Sequence, residues 1–206
     1  MLRIHGRTSS ANVMKPLWVA EELGLAYEQV DIGGPFGGND TPAYRALNPN
    51  GLVPTIEDDG FVLWESNAIV RYLCSRYGSG SLWPEDARVR ARADQWMDWK
   101  LTTVSPVMTP IFWGLVRTKP EDRDEAGIAR AIRRGHTMFA LLDAELARHP
   151  WVAGDAFTMG DIPLGPQVHR WFALVQDRPP MPHLEAWYVR LQERPAFRKW
   201  VMTPMV

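Results

Sequence analysis

The sequence has a single cysteine, Cys74, so an internal disulfide and any multi-cysteine metal site are excluded. It also lacks a strong charge of either sign: the formal net charge is -1 over 206 residues, with no long run of Lys and Arg. Nucleic-acid binding and a basic membrane anchor therefore have no electrostatic footprint. No segment approaches the roughly 18 uninterrupted apolar residues of a membrane span. The opening Met1-Leu2-Arg3-Ile4-His5-Gly6 has no signal-peptide core, which makes cytoplasmic residence the expectation. The five histidines show no metal-ligand spacing, and no metal is expected. The glycine-rich stretch at residues 33–38 lacks the Gly-Lys-Ser/Thr ending of a phosphate loop, and the dinucleotide fingerprint is missing. Internal repeats and low-complexity tails are absent too.

What is present suits a soluble globular chain: 46% hydrophobic and 23% charged residues, with ten tryptophans. The first third alternates strand and helix signals. Leu2 to His5 is a short alternating run ending at Gly6. Val13, Leu17, Ala20 and Leu23 recur at helical spacing over residues 12–23, with Gly24 placed for the C-terminal cap and Pro16 in the first turn. Residues 27–32 read as a second strand. Residues 42–47 read as a short helix with Thr41 as N-cap and Pro42 at its first position. Residues 54–57 and 61–64 flank Asp58-Asp59-Gly60, a hairpin signal, and residues 66–77 close the unit as a helix. The order β-α-β-α-β-β-α predicts one mixed sheet with helices packed on it, over residues 1–78.

Residues 78–85 read as a linker. Beyond them no strand pair is evident, and helical spacing covers residues 87 to about 104, 122–148, 160–175 and 183–200, so residues 86–206 are expected to form an all-helical domain. Pro106 and Pro110 should break or bend the first of these helices. Thr158-Met159-Gly160-Asp161 has the spacing of a capping box, which gives Asp161 a structural role. Cys74 lies on an apolar helix face and reads as a buried small hydrophobe.

Four segments together resemble the cytosolic glutathione S-transferase superfamily, in its bacterial serine-type (theta/zeta-like) branch, over nearly the whole chain. They are Arg7-Thr8-Ser9-Ser10-Ala11-Asn12; Asn48-Pro49-Asn50-Gly51-Leu52-Val53-Pro54; Trp64-Glu65-Ser66-Asn67-Ala68-Ile69; and Thr158-Met159-Gly160-Asp161. The resemblance implies a thioredoxin-like N-terminal domain, a helical-bundle C-terminal domain, glutathione as substrate or cofactor, and a homodimer. It implies a cis bond before Pro54, with Val53 offering its backbone N–H and C=O to the cysteinyl part of glutathione. Glu65 would meet the γ-glutamyl ammonium and Ser66 its carboxylate. A helix N-terminus suits that anion, although Ser66 could simply cap the helix.

Ser10 falls where serine-type members carry the residue that donates to the glutathione sulfur. Ser9 competes for that role, and either serine could instead be a helix cap. No tyrosine precedes Tyr27 and no cysteine precedes Cys74, so the tyrosine and cysteine versions of the site are absent. Asn12 could assist at the sulfur, hold Ser10, or cap the helix. Near Leu52 the family often places a polar group for the glycine carboxylate. Leu52 cannot supply one, and Asn39 or Lys15 are the replacements considered. For a hydrophobic electrophile between the two domains, the candidates are Trp96, Trp99, Lys100, Thr103, Met108 and Trp113. Conjugation is the leading reading. Glutathione-dependent isomerisation, dehalogenation or peroxide reduction, and a non-catalytic binding module, are the alternatives.

Overall fold

A computed structural model describes residues 1–205. Four short strands, β1 (Leu2–His5), β2 (Tyr27–Val30), β3 (Thr55–Asp58) and β4 (Phe61–Trp64), form one sheet in the order β2-β1-β3-β4. β1 runs parallel to β2 and antiparallel to β3, and β4 is antiparallel to β3. The parallel pair needs a crossover, which α1 (Ala11–Glu22) supplies. Asp58 pairs with Phe61, leaving Asp59-Gly60 as a two-residue turn. Both turn residues have positive φ, 49° and 87°, as the primed hairpin turn requires. Two further helices, α2 (Pro42–Leu47) and α3 (Ser66–Tyr77), complete the β-α-β-α-β-β-α order expected for a thioredoxin-like unit.

The rest is helical. α4 (Ala87–Trp99) continues without a break through a wide turn at Lys100–Val104 into α5 (Ser105–Phe112), and through a second wide turn at Trp113–Arg117. Pro106 and Pro110, expected to break or bend this helix, do not break it. Each proline removes one N–H from the ladder, and the helix stays continuous through the widened turns on either side. Thr102, Ser105 and Thr109 donate to the carbonyls of Asp98, Lys100 and Ser105 at 2.9, 3.1 and 2.7 Å.

After α6 (Glu125–Leu146) come α7 (Gly165–Leu174), α8 (Pro182–Glu193) and α9 (Pro195–Trp200). The single helix expected over 183–200 is two, because Pro195 follows Arg194 in extended conformation and starts a new helix. The helix expected from Gly160 begins at Gly165, after a run of turns. The reach-back contact of the capping box is nevertheless made, from the Thr158 N–H to Asp161 Oδ2 at 3.0 Å.

Helix α1 joins the two halves. One side packs on the sheet and α3, and the other meets α7 and α9. Trp18, fully buried, packs edge-on against Phe197 at 4.9 Å, and its ring fills the space a side chain at Gly165 would need (a Cβ there would stand 2.6 Å away). Arg194 donates to both oxygens of Glu22 at 2.8 and 2.6 Å, tying α1 to the start of α9. The second half of α1 is thereby held between the sheet and the helices.

Candidate active site

The loop before β3 is fixed from beneath. Tyr44 Oη and Asn48 Nδ2 both donate to the Leu52 carbonyl, at 2.7 and 2.8 Å, and both also reach Thr55 Oγ1. The Val53–Pro54 bond is cis. The N–H and C=O of Val53 pair with no other backbone group among the described residues, so an unused strand edge faces the cleft. Glu65 follows β4 with φ 70°, a conformation that costs a non-glycine residue about 1–3 kcal/mol. That strain turns the chain so that Glu65 and Ser66 border the same cleft as Asn12, Asn48, Asn50, Leu52, Val53 and Pro54.

Behind the cleft lies a polar arrangement with no sequence signal of its own. Lys15 is fully buried and donates to Ser66 Oγ at 2.8 Å and to Asn67 Oδ1 at 3.0 Å. Burial first, then the charge and hydrogen bond of buried Lys100, push the Lys15 amine well below the usual lysine range. Lys100 is itself lowered, by burial and by the Arg170 charge. Lys15 thus spends its hydrogen bonds on Ser66 and Asn67, with the buried Lys100 amine close by. Asn67 closes the network through Nδ2 to the Met97 carbonyl at 2.9 Å.

Ser10 is the N-cap residue of α1 in extended conformation, yet its side chain makes no capping hydrogen bond. Its carbonyl accepts from the N–H groups of Val13 and Met14, both at 2.9 Å. The hydroxyl is therefore uncommitted. It lines a cavity of about 340 Å³ with Arg7, Ser9, Asn12, Lys100, Leu101, Ser105, Met108, Phe112, Trp113, Arg117, Gln167 and Arg170. Asn12 borders both this cavity and the cis-proline cleft, which therefore meet at the first turn of α1. Asn12 stands inside the helix rather than at its cap, with Oδ1 3.4 Å from Ser66 Oγ.

Several expected positions move. Lys15 lies behind Ser66 rather than near Leu52, because α1 directs it into the interface with α3. Asn39 spends its amide on the Gly51 carbonyl at 2.8 Å and does not border the cleft. Asn50 does border it. Of the proposed pocket residues, Lys100, Met108 and Trp113 line the cavity, whereas Trp96, Trp99 and Thr103 do not. Trp96 is buried and packs edge-on to Trp99 at 5.0 Å on another face of α4. The wide turn at Lys100–Val104 changes the facing of later residues, so Ser105, Thr109 and Phe112 take the places a regular helix would give to other positions. The arginines Arg7, Arg117 and Arg170 come from a loop and two helical segments far apart in sequence, and no local pattern announces their convergence.

Among the described residues there is no group of His, Cys, Asp and Glu that could hold a metal ion, and no helix long and apolar enough to cross a membrane.

A thioredoxin-like sheet with an unused backbone edge at a cis-proline, beside a helical domain that walls a second cavity, defines a protein that holds a thiol peptide against a second substrate. Residues 4–81 match the family profile "Glutathione S-transferase, N-terminal domain" and residues 125–201 match "Glutathione S-transferase, C-terminal domain". The chain belongs to the glutathione S-transferase family, and is an enzyme of that transferase class. It is 47% identical to the glutathione S-transferase GstB of Escherichia coli K12, with both chains covered completely. It is 34% identical to glutathione S-transferase 3 of Zea mays over 78% of this chain and 73% of that one. Among solved structures it resembles the theta class glutathione S-transferase of Xanthomonas axonopodis pv. citri with glutathione bound, at TM-score 0.96 and 52% identity over 100% of this chain and 99% of that one.

Proposed function

We propose that glutathione lies along the cis-proline cleft with its sulfur at Ser10, and that the thiolate attacks an electrophile in the adjoining cavity. The observation that carries this reading is the common border of the two spaces at Asn12, with an uncommitted Ser10 hydroxyl beside it. Val53 offers N–H and C=O to the cysteinyl unit, as an added strand would use them. The Ser66 hydroxyl and the free N–H groups at the start of α3 take the γ-glutamyl carboxylate, and Glu65 takes the ammonium. Because Lys15 donates to Ser66 Oγ, the Ser66 proton is left free to point at Asn12 or the ligand. Leu52 supplies apolar contact and backbone only, and Asn50 is the polar neighbour for the glycine end.

A free thiol with pKa about 8.5 is only about 3% ionised at neutral pH. One hydrogen bond to the charged sulfur, about 1.5–3 kcal/mol, lowers that pKa by about one to two units and makes the thiolate a major species. Ser10 supplies that bond, and Asn12 supports it. Residues 1–78 form the glutathione-binding unit and residues 86–206 the unit that walls the electrophile cavity. The protein works as a cytoplasmic homodimer, which would cover the exposed Phe61, Trp64 and Tyr77 of the N-terminal unit. A crystal structure with glutathione tests the whole arrangement: a sulfur more than about 4 Å from Ser10 Oγ, beyond hydrogen-bond reach, would reject it.

A further inference from the structure

The cavity beside Ser10 is walled by four cations, Arg7, Lys100, Arg117 and Arg170, and by no aspartate or glutamate. None of the four forms an ion pair among the described residues. They act on one another: Arg170 is pushed down to about 10 by burial and by the charges of Arg117 and Arg7, and Arg7 is lowered by burial and by Arg117. Arg7 also has a buried Nε without a hydrogen-bond partner. Like charges left facing one another in a cavity raise the free energy of the empty site, and a bound anion removes that cost. Apolar surface stands directly against the charge. The Arg170 guanidinium carbon lies 3.7 Å from the centre of the Phe112 ring and that of Arg117 lies 5.7 Å from it, with exposed Trp113 on the same wall.

We infer that the second substrate is a carboxylate-bearing electrophile with a flat apolar body, its carboxylate held by Arg170, Arg117 and Arg7 and its body on Phe112 and Trp113. The inference rests on the proposed placement of glutathione, because only a sulfur at Ser10 makes this cavity the acceptor site. An arginine fork matches a carboxylate in two parallel hydrogen bonds, which fixes the acceptor's orientation as well as its affinity. With an aryl chloride as acceptor, the thiol proton goes to solvent as the thiolate forms. The sulfur then bonds to the ring carbon bearing chlorine, and the carbon–chlorine bond breaks with its electron pair leaving on chloride. The carboxylate is unchanged throughout.

The test compares a chloronitrobenzoate with the matching chloronitrobenzamide at saturating glutathione, each kcat/KM divided by the uncatalysed rate constant of the same reaction. We expect the normalised ratio to favour the carboxylate by about tenfold or more, the scale of one charged hydrogen bond. Arg170→Met and Arg117→Met should each remove most of that preference, and Arg170→Lys should keep part of it. Arg117 is exposed, so its variant remains informative if substitution at Arg170 prevents folding. A normalised ratio of one or below in the wild type, or a preference that survives both substitutions to methionine, overturns the inference. So does a loss of glutathione affinity with the acceptor ratio unchanged, which would assign the arginines to glutathione's own glycine carboxylate. Calorimetry of glutathione alone separates the two levels: failure of the wild type to bind it removes the underlying placement before any acceptor is added.

Discussion

Lys15 donates to Ser66 Oγ across the interface between α1 and α3, at 2.8 Å and with no exposure to solvent. The residue closest to the proposed γ-glutamyl contact is thus oriented by a buried amine, and that amine meets Lys100, which walls the neighbouring cavity. The two ends of the site share one polar network, and its integrity should be measurable in both binding and stability.

Lys15→Met should weaken glutathione binding by about tenfold, since Ser66 and Asn67 each lose a donor and such losses cost about 1–3 kcal/mol. It should also change the stability profile. Lys15 titrates well below its unfolded value, so the unfolded chain binds more protons between the two values, and wild-type stability rises with pH across that window toward about 10.4. Urea unfolding across alkaline pH should show that rise flattened in Lys15→Met. An identical slope in both proteins would mean that Lys15 is charged in the fold.

Glu65→Ala and Ser66→Ala should each weaken glutathione binding by more than about tenfold, because a charged ligand group loses a hydrogen bond of about 1.5–3 kcal/mol. Isothermal calorimetry gives the comparison, and affinities within about twofold of wild type would place the ligand elsewhere. Position 65 carries a second expectation. The residue sits at φ 70°, so Glu65→Gly should relieve backbone strain and raise stability while lowering affinity in the same way.

Asp161 accepts from the N–H groups of Val152 and Thr158, the Thr158 hydroxyl and the Trp187 indole, all out of contact with water. Removing it leaves several buried donors unpaired, so Asp161→Ala should cost about 3 kcal/mol or more and lower Tm by about 6–12 °C. Burial raises its pKa to about 6, partly offset by those donors. The folded state therefore binds more protons than the unfolded one between about pH 4 and 6, and this group's contribution to stability falls as pH rises through that window. Scanning calorimetry of Asp161→Asn across the same range should show a flatter dependence. A catalytic defect in Asp161→Ala with unchanged Tm would contradict the structural role.

The homodimer is expected to persist at micromolar concentration. Phe61 and Trp64 lie on β4, the edge strand of the sheet, and Tyr77 ends α3, an exposed apolar set on one unit. Sedimentation velocity decides the matter, with a lone monomer boundary as the unfavourable result.

The fold was legible where local chemistry was decisive. Asp59-Gly60 marks a primed turn, Pro42 after Thr41 marks a helix start, and the apolar spacing marks α1, although Pro16, expected in its first turn, falls in the second because the helix starts at Ala11. The candidate site was legible in part: short segments announce the cis bond at Val53-Pro54 and the Glu65-Ser66 pair that borders the same cleft. It was illegible where the geometry depends on helix register. The widened turn at Lys100–Val104 rotates α5, putting Ser105, Thr109 and Phe112 rather than Thr103 on the cavity wall. The arginines of that wall lie at positions 7, 117 and 170, and only tertiary packing brings them together. Lys15, expected near Leu52 as a partner for the glycine carboxylate, lies instead behind Ser66, because burial of a lysine has no local signature. It becomes intelligible only once Ser66, Asn67 and Lys100 are seen around it.

The role of Ser10 is open to the most direct test. Both Ser9 and Ser10 line the cavity, but Ser10 stands at the helix start with a hydroxyl that caps nothing, whereas the carbonyl of Ser9 accepts from Arg170 at 3.4 Å. Ser10→Ala should raise the pKa of bound glutathione by about one to two units with little change in affinity, because the hydroxyl acts on one atom while the γ-glutamyl end supplies the anchoring. Thiolate absorbance against pH, recorded on the saturated binary complex, reads this directly, with Ser9→Ala as the control that leaves the curve in place. The three arginines nearby also favour the thiolate, and their effect has its own signature: raising salt should shift the wild-type and Ser10→Ala curves upward by similar amounts. A curve that moves for Ser9→Ala alone would transfer the role by one residue. If neither substitution moves the curve, the hydroxyl mechanism is wrong, and Asn12 with the backbone N–H groups at the start of α1 would carry the activation.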